Sequence, residues 1–302
     1  MIQSCNLCPR HCAAQRNAEA GNGICKMGST AAVARAALHF WEEPCISGKR
    51  GSGAVFFSGC GLHCVFCQND FISRQNFGKY ISPSELSDIF RRLVEQGAEN
   101  INLVTATHFA PAVLEALKLY RPPVPVVYNC SGYESTGTLR SLEGFVDIYL
   151  PDFKYALTEP AERYSAAPDY PEAAKAALLE MHRQQPACLY DERGILQKGM
   201  IVRHLILPGN TRNSVAALEW LAEALPGVPV SLMAQYLPCG RAAEFPEINR
   251  KITRREYEKV LNRLFALGLD GFVQERSSAS RAFIPSFGLE GVSAPERQST
   301  VK

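Results

Sequence analysis

The sequence predicts an α/β fold: a partial (β/α)6 barrel of the TIM type, built of parallel strands, with a small N-terminal cysteine-rich extension. Three features predict it. Short apolar runs alternate with longer stretches in which apolar residues recur at helical spacing. The short runs are apolar throughout rather than alternating, as strands buried on both faces must be. Six such strand–helix units are present, too few to close an eight-stranded barrel but enough, with right-handed crossovers, to curl into an open one.

Residues 1–50 are read as the extension and lead-in, 51–276 as the barrel and 277–302 as a C-terminal tail. From 31 to 50 the pattern is mixed, apolar up to Phe40 and broken by Glu42-Glu43-Pro44, which predicts an extended lead-in with a short strand. The first barrel strand is Ala54-Val55-Phe56-Phe57. Ser82-Pro83-Ser84-Glu85 opens a helix carrying Leu86, Ile89, Phe90 and Leu93, which Gly97 closes. A strand over 101–105 follows, then a helix through Val113, Leu117 and Tyr120 that Pro122-Pro123 stops. Next come strand 124–130, a helix near 137–142, strand 146–150 and a helix over 173–184. Strand 200–207, helix 214–225, strand 230–236 and helix 253–267 complete the series. The tail is rich in Ser, Pro and Gly, and is expected to drape over the surface with its last residues disordered.

Composition narrows the function. A formal charge of +2 in 302 residues argues for neither nucleic acid nor membrane. No apolar run is long enough to cross a bilayer, and the N-terminus lacks the apolar core of a signal peptide. Eleven cysteines without such a signal favour metal ligands in a reducing compartment over disulfides, so the cytoplasm is expected.

The most informative stretch is residues 58–69, which places Cys60, Cys64 and Cys67 in one short loop after the first barrel strand. Three thiolates on one turn can each hold one iron of a [4Fe–4S] cluster, leaving the fourth iron open to a substrate. Zinc wants four ligands, usually as two separated pairs, and no partner pair stands nearby. Phe66 is expected to lay its ring against the cluster or its ligand. Cys5, Cys8, Cys12 and Cys25, among turn-forming glycines, suggest a second metal site, which zinc or an auxiliary iron–sulfur cluster would satisfy equally. Cys45 reads as a small packed residue.

In a parallel α/β barrel the C-terminal strand ends meet at one mouth. After the cysteine loop the strands deliver Thr105 to His108, then Asn129, Cys130 and Ser131, then Asp152 and Lys154, then Arg203 and His204, and last Gln235 and Tyr236. Arg203 or Lys154 can neutralise a carboxylate, Asp152 can accept from hydroxyls or pair with Lys154, and Asn129 and Ser131 can bond to an amino acid end. Either histidine could instead be a satisfied structural residue.

With these residues in view the chain resembles the radical SAM superfamily, and more narrowly the branch related to pyruvate formate-lyase activating enzyme that carries an N-terminal cysteine cluster. The C-x3-C-x2-C loop carries the superfamily resemblance. Cys5-Asn6-Leu7-Cys8-Pro9-Arg10-His11-Cys12, together with stretches 126–129, 146–154, 202–209 and 231–238, carries the narrower one. The resemblance implies that Cys60, Cys64 and Cys67 hold the [4Fe–4S] cluster, whose free iron chelates S-adenosylmethionine, and that Asp152, Lys154 and Arg203 lie beside this cosubstrate. It implies reductive cleavage to methionine and a 5′-deoxyadenosyl radical that abstracts hydrogen, with electrons from a low-potential donor of the flavodoxin or ferredoxin type. The Gly-Gly-Glu that grips the cosubstrate's amino group in many members is absent, and Thr105 to His108 stands in its place. Three functions stay open: a glycyl radical activase acting on a partner protein, a radical SAM catalyst for a small molecule or peptide, and a non-catalytic iron–sulfur electron-transfer or interaction protein.

Overall fold

The computed structural model describes residues 2–275, 278–280 and 284–293. The chain begins with an antiparallel pair, β1 (Ile2–Cys5) and β2 (Ala14–Arg16), which is separate from the main sheet. The main sheet starts with β3 (Ala31–His39), a nine-residue strand rather than a short one, which pairs antiparallel with both β4 (Ser52–Phe57) and β5 (Lys79–Ile81). From β4 the sheet is parallel through β6 (Ile101–Val104), β7 (Val126–Cys130) and β8 (Ile148–Pro151). A two-residue strand, β9 (Leu189–Tyr190), runs antiparallel to β10 (Leu196–Met200), which lies parallel beside β8.

The strand expected over 200–207 is broken. After Ile201 it resumes as β11 (Val202–Leu205), which pairs with β12 (Val230–Met233), and β12 pairs with β13 (Gly271–Val273), all parallel. A parallel bridge between Asp152 and Arg203 joins β8 to β11, and the Ile201 amide donates to the Tyr149 carbonyl. That bridge links an eight-stranded sheet to a three-stranded one, and β13 adds a parallel strand beyond the six read from the sequence. Strands β4, β6, β7, β8 and β12 are buried at every residue, which is why they read as largely apolar runs, broken only by polar residues such as Asn102, Asn129 and Ser231.

The helices start where their caps place them. Ser82 accepts from the Glu85 amide while the Glu85 carboxylate accepts from the Ser82 amide, opening helix Pro83–Glu95, and Thr253 with Glu256 repeats this capping box at Arg254–Ala266. Helix Thr211–Ala224 lays Trp220 against Phe153, at 5.3 Å between ring centroids. The opposite face of the sheet carries Asn102, Asn129, Asp152 and Arg203, linked by hydrogen bonds through Glu42. Beyond β5, residues 289–290 hydrogen-bond to Ala34 and Ala36 of β3. The disorder expected of the last residues falls on 294–302, outside the described residues. Among the described residues no helix is long and apolar enough to cross a membrane.

Candidate active site

The cysteine loop leaves β4 through Gly59, whose φ of +80° lies in the left-handed region and where a Cβ would stand 2.3 Å from Met27 Cγ. Cys60, Cys64 and Cys67 line one pocket with Asn129, Ser131, Asp152, Lys154 and Arg203. All eight residues predicted for cluster and cosubstrate thus meet in one place, at the C-terminal ends of the parallel strands.

Each of the three sulfurs accepts a hydrogen bond: from the Leu62 amide to Cys60 Sγ (3.3 Å), from Ser165 Oγ to Cys64 Sγ (3.2 Å) and from Ser73 Oγ to Cys67 Sγ (3.6 Å). Burial, reinforced by Cys64 and Cys60, pushes the Cys67 thiol up to about 12. Burial raises Cys60 as well, against the pull of the Lys154 ammonium. Among the described residues no three His, Cys, Asp or Glu side chains close around a single metal ion. A cubane cluster places each thiolate on a different iron, so its ligands stand wider apart, and this donor set suits it. Phe66 does not face an open cavity alone: its ring is packed edge-on among Tyr155, Tyr164 and Tyr236 at 5.9–6.4 Å.

The floor of the pocket is a charge network. Arg203 donates from Nε to Asp152 Oδ1 (2.8 Å), from one Nη to Glu42 Oε2 (3.0 Å) and from the other to Asn129 Oδ1 (2.5 Å). Lys154 Nζ donates to Asp152 Oδ2 at 2.5 Å. Burial alone would push the Asp152 carboxyl up, but Arg203 and Lys154 outweigh it and hold it below the ordinary carboxylate range. Asn129 is committed on both sides, since its Nδ2 also donates to Glu42 Oε1 (3.1 Å). The internal ion pair and the pocket lining are therefore the same residues. A ligand meets a pre-ordered, nearly neutral polar surface rather than loose charges. Glu42 is the member that sequence reading passes over, as part of a break; paired acids directly after an apolar run are the one signal that could have found it.

The stretch from Thr105 to His108 divides. Thr105 lines the pocket and holds φ at +62°, a costly conformation for a β-branched residue. Thr107 and His108 turn away: Thr107 Oγ1 donates to Glu134 (2.8 Å), and His108 Nε2 bonds to the Ser58 carbonyl (2.7 Å). Next to Arg203 on β11, His204 points to the helical side, where Nδ1–H donates to the Phe153 carbonyl (2.6 Å) and Nε2 accepts from Ser214 Oγ (2.9 Å). Gln235 and Tyr236 lie just past β12 and line the pocket.

Burial pushes His204 and His108 down to about 4, from an ordinary value of 6.5. Unfolded, both rings take up a proton near pH 6.5; folded, only near pH 4. The unfolded chain therefore binds more protons across that window, and stability falls as pH drops through it, by on the order of 3 kcal/mol per ring. Urea unfolding is expected to show a lower midpoint at about pH 5 than at about pH 7.5, and His204→Asn to flatten the difference.

Of the N-terminal cysteines, Cys8 sits against the Cys60–Cys67 loop. A Cβ at Gly61 would lie 3.2 Å from Cys8 Sγ, and one at Gly23 would lie 2.9 Å from Cys12 Sγ. Cys8 and Cys25 are half-buried, Cys12 is exposed, and Cys5 is buried against the Arg16 guanidinium. Burial, then Glu134, Cys25 and Cys12, push the Cys8 thiol up to about 12 against a backbone hydrogen bond from Arg10. Cys45, as expected, is a packed core residue beside Ile46 and Leu196.

Fold and site together define a mixed α/β protein with a thiol-rimmed, polar-floored pocket at the ends of a parallel sheet. No protein-family model matches the chain. An uncharacterized protein of Methanocaldococcus jannaschii is 29% identical over 280 residues, covering 89% of this chain and 77% of that protein. Streptococcus suis SuiB bound to S-adenosylmethionine is similar in structure, with a TM-score of 0.48 at 12% identity over 74% of this chain. Methylornithine synthase (PylB) gives 0.46 at 16% identity over 70%. The chain spans 50% of the SuiB chain and 63% of the PylB chain.

Proposed function

We propose that this chain is a radical SAM enzyme whose strand order forms an open (β/α)6 barrel around the pocket. The observation that carries the reading is the convergence of Cys60, Cys64 and Cys67 with Asp152, Lys154, Arg203, Asn129 and Ser131 in one cavity. A [4Fe–4S] cluster bound by the three thiolates would supply one electron to S-adenosylmethionine, releasing methionine and a 5′-deoxyadenosyl radical that takes a hydrogen atom from the substrate. The chain's own part is to bind and orient. Lys154, already paired with Asp152, shares the pocket with the thiols and offers positive charge to a carboxylate. Ser131 and Thr105 supply hydroxyls at the rim, where Gly-Gly-Glu is missing. Buried tyrosines 155, 164 and 236 around Phe66 keep water from the loop.

The N-terminal cysteines are proposed to hold a second metal, zinc or an iron–sulfur cluster, and a flavodoxin- or ferredoxin-type donor to supply electrons. A glycyl radical on a partner protein is the finer version of the function. Anaerobically reconstituted protein, given dithionite and S-adenosylmethionine, is expected to form 5′-deoxyadenosine. A chain carrying the chromophore but forming none would leave the electron-transfer reading in its place.

A further inference from the structure

Arg10 lies between the cysteines of the N-terminal motif, yet its side chain is spent on the other cysteine loop. Its Nε donates to the Gly61 carbonyl (2.9 Å), and one Nη donates to those of Leu62 (3.2 Å) and Ser165 (2.8 Å). The other Nη donates to the Ala166 carbonyl, and the guanidinium stands 5.4 Å over the Tyr133 ring. These acceptors lie on two separate segments. Gly61 and Leu62 directly follow Cys60. Ser165 and Ala166 end helix Thr158–Ser165, with Ala166 at φ +45°, and it is Ser165 Oγ that donates to Cys64 Sγ.

We infer that Arg10 is a positioning residue, which clamps the Cys60–Cys64 loop to the helix end that carries the hydrogen-bond donor of Cys64. Four carbonyls in two directions match the planar fork of a guanidinium; an ammonium on a flexible stem cannot reach them together. The clamp gives the N-terminal segment a role that does not depend on its own thiols holding metal. Only its consequence, a loop pre-shaped for a cluster, rests on the radical SAM reading.

The test uses the full chain, first without iron. Alkylation of Cys60 and Cys64 by iodoacetamide is followed by mass spectrometry in wild type, Arg10→Ala and Arg10→Lys, with the distant Cys188 as internal reference. The expected result is a rise of about tenfold or more at Cys60 and Cys64 in Arg10→Ala, a smaller one in Arg10→Lys, and partial protection when guanidinium ion is added to the alanine variant, with Cys188 unchanged. Rates within about twofold of wild type, or a rise shared equally by Cys188 in both variants, would overturn the clamp. Should Arg10→Ala fail to fold, the lysine variant decides alone: selective exposure of Cys60 and Cys64 supports the clamp, and no selectivity overturns it. After iron reconstitution, the electron paramagnetic resonance line shape of Arg10→Lys is expected to broaden relative to wild type. If wild type takes up no iron while the Arg10 variants show the alkylation pattern, the clamp stands and the cluster reading falls; iron uptake without that pattern removes the clamp alone.

Discussion

Cys64→Ala is expected to reduce 5′-deoxyadenosine formation to the level of a protein-free control while leaving the fold intact. Cys64 is the most enclosed of the three loop thiols, and its sulfur is held by Ser165 Oγ, which itself pairs with Tyr155 Oη at 2.9 Å. On the proposed reading the change removes one of the three loop thiolates that would hold the cluster. The structural cost is small by comparison: Ser165 and Tyr155 keep each other, and a cavity the size of one sulfur costs about 1 kcal/mol. Loss of activity should therefore come with loss of iron and little change in urea midpoint. Activity near wild type would mean that the pocket's chemistry does not run through this loop.

Arg203→Ala is expected to be the most destabilising single change at the site, by about 3–5 kcal/mol. The side chain neutralises two carboxylates, Asp152 and Glu42, whose side chains are 15% and 10% exposed, and it orders Asn129 between them. Without it Lys154 still pairs with Asp152, but the charge at Glu42 loses its ion-pair partner and is left buried. Denaturant unfolding near neutral pH measures the loss. The double variant Arg203→Ala, Glu42→Gln should recover part of it, because the orphaned charge is gone; strict additivity of the two changes would show that the pair is not coupled. A loss under about 1 kcal/mol would place the network in solvent rather than in the protein interior.

How much of this is legible without coordinates depends on how local each signal is. The strand–helix alternation is legible because buried parallel strands write themselves as apolar runs, and because Ser82 and Thr253 carry their capping partners three residues away. β13 is not, since three residues carry no period. β3 is under-read because its partners, β4 and β5, are set by long-range pairing that an alanine-rich run does not announce. At the site, Asp152 and Lys154 are legible as charges at the end of an apolar strand. Glu42 is not, because its partners Asn102, Asn129 and Arg203 stand 60, 87 and 161 residues away. His204 stands open in the sequence, a strand-end group that also reads as a satisfied structural histidine; the alternation of a pleated strand sends it to the helices, where the Phe153 carbonyl and Ser214 satisfy it.

The most direct measurement is the electron paramagnetic resonance spectrum of the reduced, anaerobically reconstituted chain before and after S-adenosylmethionine is added. An iron left without a protein ligand at the mouth of this pocket predicts a cluster signal that changes on addition of the cosubstrate and disappears in Cys64→Ala. A signal indifferent to S-adenosylmethionine, or no cluster signal while the protein is folded, would contradict the account.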